Sequence, residues 1–238
     1  ALPILNSLLR DRFNNIWLGS IGGGVLMIDT KQSPFTFYSL NLAEDDVPTT
    51  AVRALFADAD KDLWLGTGSY GLARKDYETG VLSFFSHIPE FSDIPSVPTV
   101  NYIIQRKNGE VWFATYDGGI LIYEKGEKVK VLTESDTPYL YSDCVSALCE
   151  DSKGNCWVGC RGGMGISLAD GGHYRFGTLS FAGGGLADWY HVKDIVEDAD
   201  GSFWIATANY GIIHIMGDVQ HPETLKYSNY SYNNGQLA

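Results

Sequence analysis

Basic residues are scarce in this chain: 17 lysines and arginines stand against 29 aspartates and glutamates, for a formal net charge of −12 at pH 7 over 238 residues. Nucleic acid or an anionic membrane surface would require a basic stripe, so neither is expected as a partner of this region. No apolar run approaches the ~20 residues of a spanning helix, and no signal peptide is visible. A membrane would be reached only through segments outside the sequence. The chain opens at Ala1 rather than Met, which reads as a piece processed or excised from a longer protein, with targeting signals removed.

Cysteine and histidine are equally sparse. Cys144, Cys149, Cys156 and Cys160 fall close together, but no His or further Cys completes the paired spacing of a zinc site. Two alternatives stay open. All four are small core residues, or Cys149 and Cys156, which flank the turn at 151–154, form one cross-strand disulfide in an oxidising compartment. None of the five histidines stands in a Ser-His-Asp or metal-ligand arrangement, so neither catalysis nor a cofactor is expected. Asp58-Ala59-Asp60 and Asp198–Gly201 resemble calcium-loop fragments without the downstream Glu, and turn chemistry explains them better. Gly22–Gly24 and Gly183–Gly185 have no helix behind them and are weak evidence of phosphate binding.

What the chain has in quantity is tryptophan at a fixed period. Trp17, Trp64, Trp112, Trp157 and Trp204 recur at intervals of 47, 48, 45 and 47 residues. Each opens the same phrase of Trp, apolar, tiny, small, from Trp17-Leu18-Gly19-Ser20 to Trp204-Ile205-Ala206-Thr207. Twelve residues earlier stands an apolar residue (Leu5, Val52, Val100, Val145, Val192), with turn pairs such as Asn108-Gly109 and Asp200-Gly201 in between. That is a hairpin signature. Lys61 replaces the usual Gly or Asn and leaves its turn either strained or of another type.

A Gly followed by an aliphatic comes seven residues after each Trp, eight in the fourth unit at Gly165-Ile166, and opens a third strand. Stretches such as 81–85 and 225–230 supply a fourth. Four short antiparallel strands in ~45 residues make a β-propeller blade. The fold class is therefore all-β, a β-propeller of about five four-stranded blades at 1–42, 43–90, 91–136, 137–184 and 185–238. The repeat Trp supplies the flat surface between blades and the tiny residue allows close approach, so these tryptophans are read as core.

Propellers bind ligands where the loops between second and third strands meet those joining successive blades. The first class contributes Tyr70, Tyr116, Asp117, Arg161, Met164, Asn209 and Tyr210; the second contributes Tyr139, Tyr141, Trp189 and Tyr190. Aromatic faces beside Asp, Asn and Arg suit a sugar or peptide. The candidate ligand set is Tyr70, Tyr116, Asp117, Arg161, Trp189, Tyr190, Asn209 and Tyr210.

The unit Val192-Lys193-Asp194-Ile195-Val196-Glu197-Asp198-Ala199-Asp200-Gly201-Ser202-Phe203-Trp204-Ile205-Ala206-Thr207, with 145–160 and 52–67 beside it, resembles the two-component regulator propeller repeat. That repeat occurs in the extracytoplasmic sensor regions of bacterial hybrid two-component system proteins. Departures are Lys61 for Gly, Arg106 for Asp, Cys160 for Thr and an extra residue near Met164. The resemblance implies a non-catalytic, periplasmic sensor portion of an inner-membrane protein. Such sensors detect breakdown products of polysaccharides and signal through a membrane helix to a histidine kinase, a receiver and a DNA-binding module, none of which is in this sequence. It implies a seven-bladed type of propeller, of which five blades are a part. Gly235-Gln236-Leu237-Ala238 repeats the lead-in Gly184-Gly185-Leu186-Ala187, so a further blade or another copy is expected as neighbour. Two alternatives compete. One is a lyase resembling virginiamycin B lyase, with His191 and Glu197 as proton-abstracting candidates; the other is a protein-interaction scaffold.

Overall fold

The computed structural model describes residues 4–21, 24–29, 33–38, 51–68, 70–176, 191–221 and 224–231. Strands β1 (Ile4–Arg10), β2 (Ile16–Ile21), β3 (Gly24–Asp29) and β4 (Ser33–Tyr38) form the first antiparallel sheet in chain order. The second comprises β5 (Val52–Ala57), β6 (Leu63–Thr67), β7 (Leu72–Lys75) and β8 (Leu82–Phe84); the third, β9 (Val100–Gln105), β10 (Val111–Thr115), β11 (Ile120–Tyr123) and β12 (Lys130–Leu132). The fourth has β13 (Val145–Glu150), β14 (Cys156–Cys160), β15 (Gly163–Ser167) and β16 (His173–Phe176). The fifth has β17 (Val192–Glu197), β18 (Phe203–Thr207), β19 (Ile212–Met216) and β20 (Lys226–Tyr230). Each is a four-stranded meander, as the repeat demands. The chain divides into two compact units, residues 1–115 with 121–130 and residues 116–120 with 131–238.

Within each unit the first strands of successive sheets lie side by side, β5 between β1 and β9 in one and β13 against β17 in the other. The tiny residue of the Trp phrase is what lets them approach. A Cβ on Gly66 would come within 2.8 Å of Val100 Cγ1, and one on Gly159 would overlap Val192. The Trp supplies the flat face: Trp64 lies 4.9 Å from Tyr123 and 5.1 Å from Phe113, and Trp157 3.9 Å from Phe203, ring centre to ring centre. Trp64 and Trp157 are fully buried, consistent with their reading as core. At β1 the same face is bare: Leu5 and Leu8 are 55% and 70% exposed, whereas Val192 and Ile195 at the matching places of β17 are 0% and 3%.

The Asp six residues before Trp holds the hairpin and the ring together. Asp151 accepts the backbone N–H groups of Lys153 (3.0 Å) and Asn155 (2.8 Å) on one oxygen, and the Asn155 amide (2.8 Å) and Trp157 Nε1–H (3.0 Å) on the other. Asp11, Asp58 and Asp198 accept from Trp17, Trp64 and Trp204 at 2.8–2.9 Å. Thus the Asp58 and Asp198 segments are turn chemistry. Where Arg106 replaces the Asp, Trp112 donates to Glu110 instead (2.9 Å) and the Arg106 guanidinium sits 4.8 Å over its ring.

The Lys61 turn is of the same type as the others, and it is the strained one. Lys61 has φ 75°, beside 76° at Asn14, 86° at Gly154 and 80° at Gly201, and all four donate N–H to the residue three before at 3.0 Å. A lysine in the left-handed region costs ~1 kcal/mol, against roughly 0.5 kcal/mol returned by its ammonium over two exposed rings. Lys61→Gly should therefore be no less stable than the parent and up to about 1 kcal/mol more stable, read from the urea midpoint; a clear loss would show that the ring contact outweighs the strain.

Two expectations for the fourth sheet are corrected. Trp157 pairs with Ile166, Gly159 with Met164 and Cys160 with Gly163, whereas Trp64 pairs with Arg74 and Gly66 with Leu72. The fourth unit is thus one residue shorter between these strands, not longer; its third strand starts at Gly163 after the two-residue turn Arg161-Gly162, and Gly162 takes φ 90°. Cys149 pairs with Trp157 and Cys156 with Glu150. Side chains alternate across a strand, so Cys149 and Cys156 project to opposite faces, and all four cysteines are free thiols.

Candidate functional site

In the unit containing residues 131–238, the loops that follow the Trp phrases meet the residues that precede the next first strand. Within each sheet the loop is tied to the lead-in of its own first strand, Arg161 N–H donating to the Cys144 carbonyl and Ala208 N–H to that of His191, each at 2.9 Å, and a bridge between Arg161 and His191 reaches the next sheet. Gly119 N–H likewise donates to Asp143 (2.9 Å), and the Ser142 hydroxyl to the Arg161 carbonyl (3.1 Å). Between them opens a cavity of about 870 Å³, lined by Tyr116, Asp117, Ser142, Asp143, Cys144, Arg161, Gly162, His191, Ala208 and Asn209.

Each wall has a local cause. Asp117 turns inward on a left-handed backbone, φ 67°. Arg161 is carried on the tip of the shortened turn, and among the described residues its guanidinium has no carboxylate within bonding distance. All five first-strand pairs break register just after the opening residue, between Val192 and Asp194 in β17; such a bulge re-aims one side chain. The bulged residue is Lys193, whose Nζ lies 3.4 Å from His191 Nδ1. An ammonium only donates, so Nδ1 is the acceptor and the ring proton sits on Nε2, which is buried without a partner among the described residues. Burial, then the charges of Lys193 and Arg161, hold the His191 pKa below its ordinary value, and the imidazole is neutral at pH 7. Burial, reinforced by Asp117, pushes the Cys144 thiol up, so it stays protonated and is a poor nucleophile.

Of the sequence candidates, Tyr116, Asp117, Arg161 and Asn209 share this cavity. Tyr70 does not; it lines a separate hollow of about 360 Å³ with Phe84, Phe85 and Val97 in the other unit. Tyr210 is half-buried against the core around Ile213 and Phe203. Met164 is core at 1% exposure, and the Tyr141 ring lies flat on Gly162 and Gly163, where a Cβ would meet it. Trp189 and Tyr190 lie outside the described residues. Ser142, Asp143 and Cys144 are missed by loop reasoning, yet they are the three residues before an opening Val, the place His191 occupies in the next unit.

The lyase pair does not assemble. His191 and Glu197 stand at opposite ends of β17, ~20 Å apart at 3.3 Å per residue, and Glu197 accepts both the backbone N–H and the hydroxyl of Ser152 at 2.6 Å. Among the described residues no three His, Cys, Asp or Glu side chains form a metal cluster. The cavity combines an exposed aromatic ring, Tyr116 at 42%, with donors on Arg161 and Asn209 and acceptors on Asp117 and Asp143. Such a set recognises polar, hydroxyl-bearing ligands by stacking and paired hydrogen bonds.

Four-stranded meanders packed first strand to first strand within each unit, with Trp64 and Trp157 laid against the next sheet, define the blades of a β-propeller. The two component regulator propeller model matches residues 142–162, in the fourth sheet. The extracellular domain of a protein described as a hybrid two component system from B. thetaiotaomicron is similar over 98% of this chain, with 22% identity and a TM-score of 0.75. Virginiamycin B lyase from Staphylococcus aureus aligns over 95% of the chain at 14% identity and TM-score 0.68, covering 69% of the lyase. PorZ, a surface component of the type-IX secretion system of Porphyromonas gingivalis, aligns over 98% at 18% identity and TM-score 0.67, covering 34% of PorZ. The chain spans 29% of the B. thetaiotaomicron domain. No curated protein sequence matches it.

Proposed function

We propose that this propeller is the ligand-sensing, extracytoplasmic portion of a hybrid two-component sensor, and that the cavity around Tyr116, Asp117, Arg161 and Asn209 takes an oligosaccharide released from a polysaccharide. The observation that carries the reading is the cavity itself, roughly the volume of a small-molecule site, with one exposed aromatic face and hydrogen-bonding groups of both kinds. The chain acts as a binder and not a catalyst: the Cys144 thiol is held protonated by burial, and among the described residues His191 has no carboxylate partner. Among the described residues no helix is long and apolar enough to cross a membrane. The bare face at Leu5 and Leu8 belongs, on this reading, against a further blade of the same sensor.

Calorimetry of the 238-residue chain against a panel of oligosaccharides tests it. Tyr116→Ala combined with Asn209→Ala should weaken the bound sugar at least about tenfold, or ~1.4 kcal/mol, while Tyr70→Ala leaves affinity unaltered. Unchanged affinity in the double variant would place the site elsewhere, and disappearance of the sugar during the titration would mark an enzyme.

A further inference from the structure

At the hairpin end of the first two sheets, far along the strands from Tyr70, a smaller cleft of about 200 Å³ is built from different chemistry. Phe13 and Tyr77 are 41% and 46% exposed and stack with parallel planes, 5.6 Å between ring centres and 1° apart in tilt. The Lys61 ammonium stands over both, 4.7 Å from the Tyr77 centre and 5.7 Å from that of Phe13. Lys75 reaches over the Trp17 ring at 5.5 Å, on the same cleft.

The charges here are unequal in availability. Both acidic groups of the cleft accept hydrogen bonds from their own turns. Asp11 takes Phe13 and Asn15 N–H on one oxygen and the Asn15 amide and Trp17 Nε1–H on the other, all at 2.9–3.0 Å. Asp76 takes the N–H and hydroxyl of Thr79, each at 2.7 Å. Arg12 donates to the uncharged carbonyls of Asp58 and Ala59, and Lys61 pairs with no carboxylate among the described residues. Its ammonium is thus a cation held over aromatic faces on the cleft wall. Lys61 also keeps a left-handed backbone at which Asn or Gly serves elsewhere, so the strain is tolerated where its ammonium meets two open aromatic faces.

We propose that this cleft is a second ligand site, taking a single six-membered ring that carries a carboxylate. The flat face of the ring stacks on Phe13 and Tyr77, and its carboxylate pairs with the Lys61 ammonium, displacing it from the rings. A hexuronate and an aromatic acid share this chemistry. The site lies in the unit of residues 1–115 and stands independently of the oligosaccharide cavity.

Saturation-transfer NMR titrations of the whole chain with galacturonate, galactose and benzoate separate the outcomes. Saturable binding of galacturonate, about tenfold tighter than galactose and weakened by about the same factor in Lys61→Gly and in Tyr77→Ala, is the expected result. Lys61→Gly is the decisive variant, since it relieves backbone strain and a lost signal cannot be laid to unfolding; a thermal melt confirms the fold. Binding of benzoate in preference to galacturonate supports the site with an aromatic acid as its occupant. Saturable binding of neither acid, equal affinity for galactose, or affinity unmoved by Lys61→Gly overturns the proposal. Repeating the titrations in the Tyr116→Ala, Asn209→Ala double variant removes uptake by the cavity of the other unit, so the galacturonate binding that survives there belongs to this cleft and failure of one reading is distinguishable from failure of the other.

Discussion

Asp151→Ala is expected to destabilise the protein by about 3–5 kcal/mol, among the largest effects open to a single substitution here. The Asp151 carboxylate is 1% exposed, and its partners Asn155 and Trp157 are 0% exposed. Truncation strands the Trp157 indole N–H and the Asn155 amide in a site water does not reach, at roughly 1–3 kcal/mol for each buried donor, and releases the turn as well. Asp198→Ala removes the same type of bond, but Trp204 is only partly buried and water can replace the carboxylate; about 1 kcal/mol is expected there. Urea unfolding of both variants makes the comparison. Equal losses would mean that burial does not set the worth of this bond.

Gly165→Ala should cost about 3 kcal/mol for a reason absent from local propensity, since alanine is tolerated in a strand. A Cβ at 165 would overlap the carbonyl oxygen of Tyr139 and stand 2.8 Å from its carbon, so a rigid backbone and not a flexible side chain must move. The displaced stretch carries Tyr141, whose ring covers Gly162 and Gly163, and leads into Ser142 and Asp143 on the cavity wall. Stability and sugar affinity should fall together. Gly201→Ala is the control: nothing lies within 4 Å of its added Cβ, and only the left-handed backbone, φ 80°, is strained, for ~1 kcal/mol. A Gly165→Ala midpoint equal to that of Gly201→Ala would show the 139–141 segment yielding freely.

The cavity was only partly legible in the residues. Tyr116, Asp117, Arg161 and Asn209 share one property visible in the chain: each follows a Trp phrase by four or five residues. That spacing brings them to one end of their blades. Tyr70 stands six residues after its Trp and lines a different hollow, with Phe84, Phe85, His87 and Val97. Tyr210 turns its ring to the core, a rotamer choice that no spacing reveals.

The sequence by itself determined the blade and its inner logic. The period locates each Trp, the Asp six residues before it is the acceptor for its indole, and the tiny residue two after it marks where the next first strand packs. These are interactions within one repeat or between adjacent repeats, so they are written again in every unit and can be read by comparing units. Tertiary structure alone decided what is not repeated. Strand register set Cys149 and Cys156 on opposite faces, one missing residue drew the Arg161-Gly162 turn tight, and Lys61 came to rest over two rings contributed by residues 13 and 77. Each depends on a pairing offset of a single residue or on groups distant in the chain, and a one-residue offset in a strand reverses the face on which a side chain stands.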